Sequence, residues 1–300
     1  MELEFQIYES YVGTALTVGA AFEALSPKER AYALEQNAEI MVQAAEKAGL
    51  DAIRSIGGYW EVAPGQPAML YLSTGEDQLA QLRAIKKRIG DNYFLLGSGG
   101  AGIGIPDGDH MYEFVDSLYD EPEAVHASLE AGLRGSLDFC QRQFDEGADG
   151  VINCTDVAFN TGTFLSPAQM DEFHFPYFNR WVEGVKAAGK YAIWHTDGNL
   201  SAIMERIVQS GVHALQCIDP LAGMDLPALY AQYAQRLTLI GNIDCALLQF
   251  GPVEAIRAEA RRLIDACPGG GFAIGCCNAV FPAISAAHYQ ALVDEKMLGY

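Results

Sequence analysis

Apolar residues in this chain fall into short blocks of strand length, each followed by a longer stretch in which they recur at helical spacing. Residues 51–56, 92–97, 150–154, 191–195, 214–218, 237–242 and 271–275 read as buried strands bounded by turn residues. Helical spacing covers residues 76–88, 121–146, 167–188, 200–210, 226–235 and 252–265. An earlier helix over 26–49 opens on Ser-Pro and stops at Gly49. Gly90, Gly147, Gly189 and Gly211 each end a helix just before the next apolar block, a repeated helix-to-strand junction. With a weaker strand around 69–73, the alternation predicts an α/β fold, a (β/α)8 TIM barrel. The barrel is expected to be one domain over residues 1–300, with residues 1–50 as an N-terminal helical extension. An open doubly wound sheet is the competing arrangement.

Composition narrows the function classes. A net charge of −20 repels phosphate backbones and anionic lipid headgroups, which argues against nucleic-acid and membrane-surface partners. No apolar run reaches membrane-spanning length and no charged segment precedes a hydrophobic one, so a cytoplasmic protein is expected. The seven cysteines are scattered without a tight framework and read as free thiols, some of them candidate ligands.

In a barrel of this kind, residues at or just past the C-terminal ends of the strands face the reaction site. Asp156, His195, Asp197, Asn199, Cys217, Asp219, Asn242, Asp244, Cys276 and Cys277 all fall there. His213 begins its strand, while His110, His126 and His288 lie on helices or loops and read as packing or surface residues; His174 stays open. The run from Tyr191 to Asn199 is the most informative, because an apolar strand delivers an imidazole and a carboxylate into a Gly-Asn turn. Imidazole, carboxylate and thiolate are all zinc ligands, and a catalytic zinc keeps three protein ligands and one open position. His195, Asp197 and Cys276 form the candidate metal set, with Cys277, Cys217 and Asp156 in reserve. Residues two apart on a strand share a face, so His195 and Asp197 point the same way if strand geometry persists through Thr196. The alternative is that Asp197-Gly198-Asn199 only starts a helix, with Asn199 as its cap, and that the cysteines are small core residues.

Two other motifs carry less. Gly97 to Gly102 spells GxGxxG after a strand, but Pro106 follows where a helix should begin and no acidic residue ends a later strand at the ribose distance. The triplet Gly269-Gly270-Gly271 precedes its strand and reads as a turn. No serine sits in a GxSxG elbow.

From Asp149 to the C-terminus the chain resembles the uroporphyrinogen decarboxylase superfamily, especially its corrinoid-dependent methyltransferase branch. The resemblance rests on Asp149-Gly150-Val151-Ile152 through Asp156, Phe164-Leu165-Ser166-Pro167, His195-Thr196-Asp197-Gly198-Asn199, Gly223-Met224-Asp225-Leu226, Gly241-Asn242-Ile243-Asp244, and the stretch from Gly269 to Cys276. The first half matches only in its helix-then-strand layout. The superfamily's fold is a (β/α)8 barrel. In the methyltransferase branch, a His-x-Cys at the position of His195 and a Cys at the position of Cys276 imply a zinc site. Here Asp197 replaces the first Cys, which makes the donor set harder and less suited to activating a thiolate.

The resemblance therefore implies transfer of a methyl group from an ether, amine or similar small donor to the Co(I) of a corrinoid. The chain has no Asp-x-His-x-x-Gly corrinoid signature, so the cofactor is expected on a separate corrinoid protein. Asp156, Asn242 and Asp244 are expected to orient the donor or supply a proton, and Arg54, Asn199, Cys217 and Cys277 to contact it. Aromatics such as Tyr59, Trp60, Phe159 and Phe164 near strand ends suggest an aryl methyl ether. A second reading is decarboxylation of a small carboxylic acid, with Arg54 as a carboxylate clamp unless it simply pairs with a neighbouring acid. Residues 1–28 lack the arginines with which the tetrapyrrole decarboxylases grip their substrate. A third reading is a barrel that binds metal or a corrinoid protein without turnover. Superfamily members also pair as dimers, so a homodimer is an expectation from resemblance.

Overall fold

The computed structural model describes residues 2, 4–63, 65–106 and 108–299. Among them, seven parallel strands hydrogen-bond to one another in chain order: β1 (Ala52–Arg54), β2 (Phe94–Ser98), β3 (Gly150–Cys154), β4 (Tyr191–Thr196), β5 (Ala214–Cys217), β6 (Thr238–Ile243) and β7 (Phe272–Cys276). Helices follow the strands, as parallel neighbours require a crossover between them. The expected eighth strand around 69–73 is not formed; these residues run through bends and irregular backbone, and a short hairpin of Glu61–Ala63 with Gln66–Pro67 precedes them.

The sheet curls, and its two faces are sorted by strand periodicity. Leu96, Ile152, Ile193, Ala214 and Ile240, one from each of five adjacent strands, form a small cluster on the concave side with Phe94 and Ala273 packed against it. Their neighbours in sequence, Leu95, Val151, Ala192, Trp194, Leu215, Leu239, Phe272, Ile274 and Cys276, belong to the large core between sheet and helices. Both faces are buried, so the strands read as continuous apolar runs rather than alternating ones.

Residues 4–6 lie against both edges of the sheet. Gln6 N donates to Val280 O at 2.8 Å, Val280 N donates to Glu4 O at 2.9 Å, and the Glu4 carboxylate pairs with Arg54 of β1 at 3.4 Å. The Glu2 carboxylate accepts from Cys276 N at 3.0 Å and from Tyr289 Oη at 2.8 Å.

Helix boundaries follow local chemistry. The Pro27–Ala48 helix starts where Ser26 N donates to Glu29 Oε2 at 2.9 Å, and it ends at Gly49, which takes φ +65°, a conformation that suits glycine. The helix expected over 167–188 is interrupted. A Pro167–Gln169 turn leads into a wider π turn, Met170–His174, and regular α-helix resumes over Phe175–Ala187. Pro176 lies just beyond the wide turn and cannot donate a backbone hydrogen bond into the preceding turn. That helix buries Phe178 and Trp181, and Phe178 packs on Trp194 of β4 with ring centres 4.5 Å apart. The Trp194 indole also donates to Thr155 O at 3.0 Å, so β4 is held from its outer face.

Candidate active site

Because Trp194 faces the outer core, His195 must face inward above Ile193, and Asp197 follows on the same side. On β3 the same alternation carries Ile152, Cys154 and then Asp156 into the mouth. Cys154 and His195 are direct register partners. The result is a triad: His195 Nε2 lies 3.5 Å from Asp197 Oδ1 and 3.7 Å from Asp156 Oδ1, and one donor atom from each residue falls within 4.8 Å of the others. Asp197 N donates to Asp156 Oδ1 at 3.3 Å. Partial desolvation, followed by the neighbouring Asp197 charge, raises the Asp156 carboxyl above the usual range, while His195 opposes the shift.

Two residues that the sequence reading did not single out hold this triad. Gln216 on β5 sends its amide nitrogen to Cys276 O at 3.3 Å, so its oxygen faces His195 Nδ1. Nδ1 therefore donates to Gln216, and Nε2 is turned toward the two carboxylates. Asn278 donates to Asp197 Oδ2 at 2.7 Å. Asp197 Oδ1 is buried and has no hydrogen-bond partner among the described residues. A basic nitrogen and two carboxylate oxygens aimed at one point, with one oxygen buried and unsatisfied, fit a divalent cation.

The triad opens into a cleft of about 730 Å³ lined by Arg54, Tyr59, Trp60, Met69, Asn153, Cys154 and the loop from Ser98 to Gly102. That loop is glycine-rich for packing reasons: a Cβ at Gly100 would overlap the Asn153 side chain, and one at Gly102 would meet the His174 ring. Arg54 pairs with the neighbouring acid Glu4, as expected if it is not a free carboxylate clamp, and its Nη2 also lies 3.7 Å from Cys154 Sγ.

None of the remaining sequence candidates joins His195, Asp197 and Asp156 in the triad. Cys276, expected as the third ligand, lies on the outer face of β7, where its Sγ meets Cys245 Sγ at 3.2 Å; Asp156 takes its place beside His195 and Asp197. A one-residue step along a strand reverses the face. Cys277, the next residue, lies 3.7 Å from Cys245 Sγ, and the buried Cys217 thiol sits against Cys277 and Asp197. Asn199 does not reach the cleft: its amide donates to Ala222 O at 3.0 Å and its oxygen accepts from Ser201 N at 3.0 Å. The helix it was expected to cap begins later, at Met204. Asn242 is buried and donates to Ile218 O at 2.9 Å. Asp244 caps the short Cys245–Phe250 helix by accepting from Ala246 N at 2.8 Å, and Asp219 caps a turn through Leu221 N at 2.9 Å. His174 is fully buried and stacked on Trp194, so it belongs to the core. No helix among the described residues is long and apolar enough to cross a membrane.

Comparison with known proteins agrees with this architecture. Residues 80–296 match the family model described as uroporphyrinogen decarboxylase (URO-D). A uroporphyrinogen decarboxylase from Ralstonia pickettii is 30% identical over 159 residues, covering 51% of this chain and 41% of that protein. One from Pseudomonas aeruginosa is 27% identical over 225 residues, covering 71% of this chain and 61% of that protein. The matched stretch thus spans less than two thirds of either decarboxylase. A methyltransferase from Methanosarcina mazei has a similar fold, with a TM-score of 0.71 at 18% identity over 98% of this chain and 91% of that one. The match over residues 80–296, a range that includes the strands carrying the triad, makes this chain a member of the uroporphyrinogen decarboxylase family.

Proposed function

We propose that this chain is an enzyme that moves a methyl group from a small donor to the Co(I) corrinoid of a separate partner protein, using a zinc ion held by His195, Asp197 and Asp156. The observation that carries this reading is the convergence of His195 Nε2, the buried Asp197 Oδ1 and Asp156 at the floor of an open cleft. When bound there, zinc supplies Lewis acidity toward the heteroatom that bears the methyl group. The protein's own residues do the positioning. Gln216 keeps His195 in the one tautomer that presents a lone pair, and Asn278 keeps Asp197 turned toward it. Trp60, Tyr59 and Met69 offer an apolar wall for an aryl or other flat donor, leaving the mouth for the face of the corrinoid. The hard donor set favours an oxygen or nitrogen donor over a thiol.

The competing reading, decarboxylation of a small acid, draws support from Arg54 in the cleft wall and from the names of the relatives. One experiment separates them. Anaerobically purified protein, with its metal content measured, is incubated with reduced free cobalamin and a panel of methyl ethers and amines, and separately with small carboxylic acids. About one zinc per chain and spectral conversion of Co(I) to methylcobalamin support methyl transfer. Release of CO2 without cobalt methylation supports the decarboxylase, and neither product from metal-replete protein defeats both.

A further inference from the structure

Four of the chain's seven cysteines gather beside the ends of β5, β6 and β7, and the triad uses none of them as a partner of His195. Cys245 is two residues past Ile243 of β6, and Ile243 is the register partner of Cys276 on β7. The adjacent parallel strands therefore deliver two thiols side by side, with Cys245 Sγ 3.2 Å from Cys276 Sγ. A disulfide needs about 2 Å between sulfurs, so the two are within roughly 1 Å of bonding distance. Cys276 is fully buried, whereas Cys245 is partly exposed and is the thiol a reagent reaches first.

Cys276 is also where the supports of the triad converge. Its carbonyl accepts from Gln216, which holds His195, and two residues onward Asn278 holds Asp197. Its amide donates to the buried Glu2 carboxylate. A covalent bond from Cys276 to Cys245 would draw the end of β7 toward the start of the Cys245–Phe250 helix and shift both supports together.

We propose that Cys245 and Cys276 are a redox-responsive pair whose disulfide weakens metal binding at the neighbouring triad. Hydrogen peroxide is the class of oxidant that a partly exposed thiol meets directly. Cys245 gives its sulfur electrons to one peroxide oxygen, forming a sulfenic acid and releasing water. Cys276 sulfur then attacks that sulfur, the S–S bond forms, and the hydroxyl leaves as a second water. Two thiols are oxidised, one peroxide is reduced, and a dithiol reductant reverses the change.

The metal consequence rests on the site proposed above, but the bond itself can be tested apart from it. The full chain is treated with hydrogen peroxide, alkylated, digested and mapped by mass spectrometry, with dithiothreitol-reduced protein as the control. Zinc affinity is measured on both forms by competition with a chromophoric chelator. The expected result is one linkage, Cys245 to Cys276, a loss of zinc affinity of about 10-fold or more, and recovery on reduction. Cys245→Ser is expected to bind zinc like the reduced wild type and to ignore peroxide. Seven alkylated cysteines after peroxide, or a linkage confined to other thiols, overturns the pairing. A mapped Cys245–Cys276 bond with unchanged zinc affinity overturns the switch, and the mapped bond in a protein that never binds zinc defeats the metal assignment while leaving the pairing intact.

Discussion

Asn278 donates to Asp197 Oδ2 at 2.7 Å across 81 positions of sequence, and in doing so leaves Asp197 Oδ1 turned toward His195. The contact joins the end of one strand to the end of another three places away in the sheet. A carboxylate fixed at one oxygen is pre-organised to give the other to a cation, and the outer partner matters nearly as much as the ligand.

Asn278→Ala should therefore lower zinc affinity by about 10- to 100-fold while leaving the fold intact. Chelator competition on the purified variant, with circular dichroism as the folding control, checks this. An affinity within about twofold of wild type would show that Asp197 orients itself without help.

The inward and outward sorting of side chains makes a sharper comparison. Asp156→Asn should lose most of its bound metal, because an amide is a far weaker ligand than a carboxylate. Cys276→Ser should retain about one metal per chain, since its side chain faces the outer core. Elemental analysis of the two variants purified in parallel decides between this set and the one containing Cys276.

His174 gives the fold a definite acid response. Burial, only partly offset by its bond to Ile103 O, lowers its pKa to about 4 from an ordinary value of 6.5. Between pH 6.5 and 4 the unfolded chain takes up a proton that the folded chain refuses. Stability contributed by the neutral ring is complete above pH 6.5 and falls as pH drops to 4, by roughly 3 kcal/mol in total, with no further loss below that. Urea denaturation at several pH values on wild type and His174→Phe should show a shallower decline over this window in the variant. Parallel curves for the two proteins would contradict the assignment.

Gly100 tests the tightness of the loop that lines the cleft. A methyl group there would overlap Asn153, whose amide is committed to Ala101 O at 3.2 Å. Gly100→Ala should cost about 1–3 kcal/mol by overpacking. Denaturant melts read the loss, and a neutral or stabilising outcome would mean that the loop can move aside.

How much of this was legible beforehand differs between the fold and the site. Strand-sized apolar blocks, helix starts such as Ser26-Pro27 and stops such as Gly49 act through their own few residues, so the order of strands and helices could be read directly. The same holds for the positions at the strand ends, which put Asp156, His195 and Asp197 on the candidate list. The weak strand at 69–73 did not form, whereas the helical stretch at 167–188 did, with a wide turn at Met170–His174 that average spacing does not reveal.

The sequence by itself thus determined the succession of βα units and the short list of residues at their mouths. Only the tertiary structure decided which of them meet. Strands buried on both faces carry no alternation, so nothing local distinguishes Cys276, which faces the helices, from Cys277, one residue on. Helix and turn ends must satisfy their free backbone groups, and that need claims Asp244, Asp219 and Asn199 for local hydrogen bonds. Gln216 and Asn278 acquire their roles from strand neighbours far away in sequence, a relation that exists only once the sheet has paired.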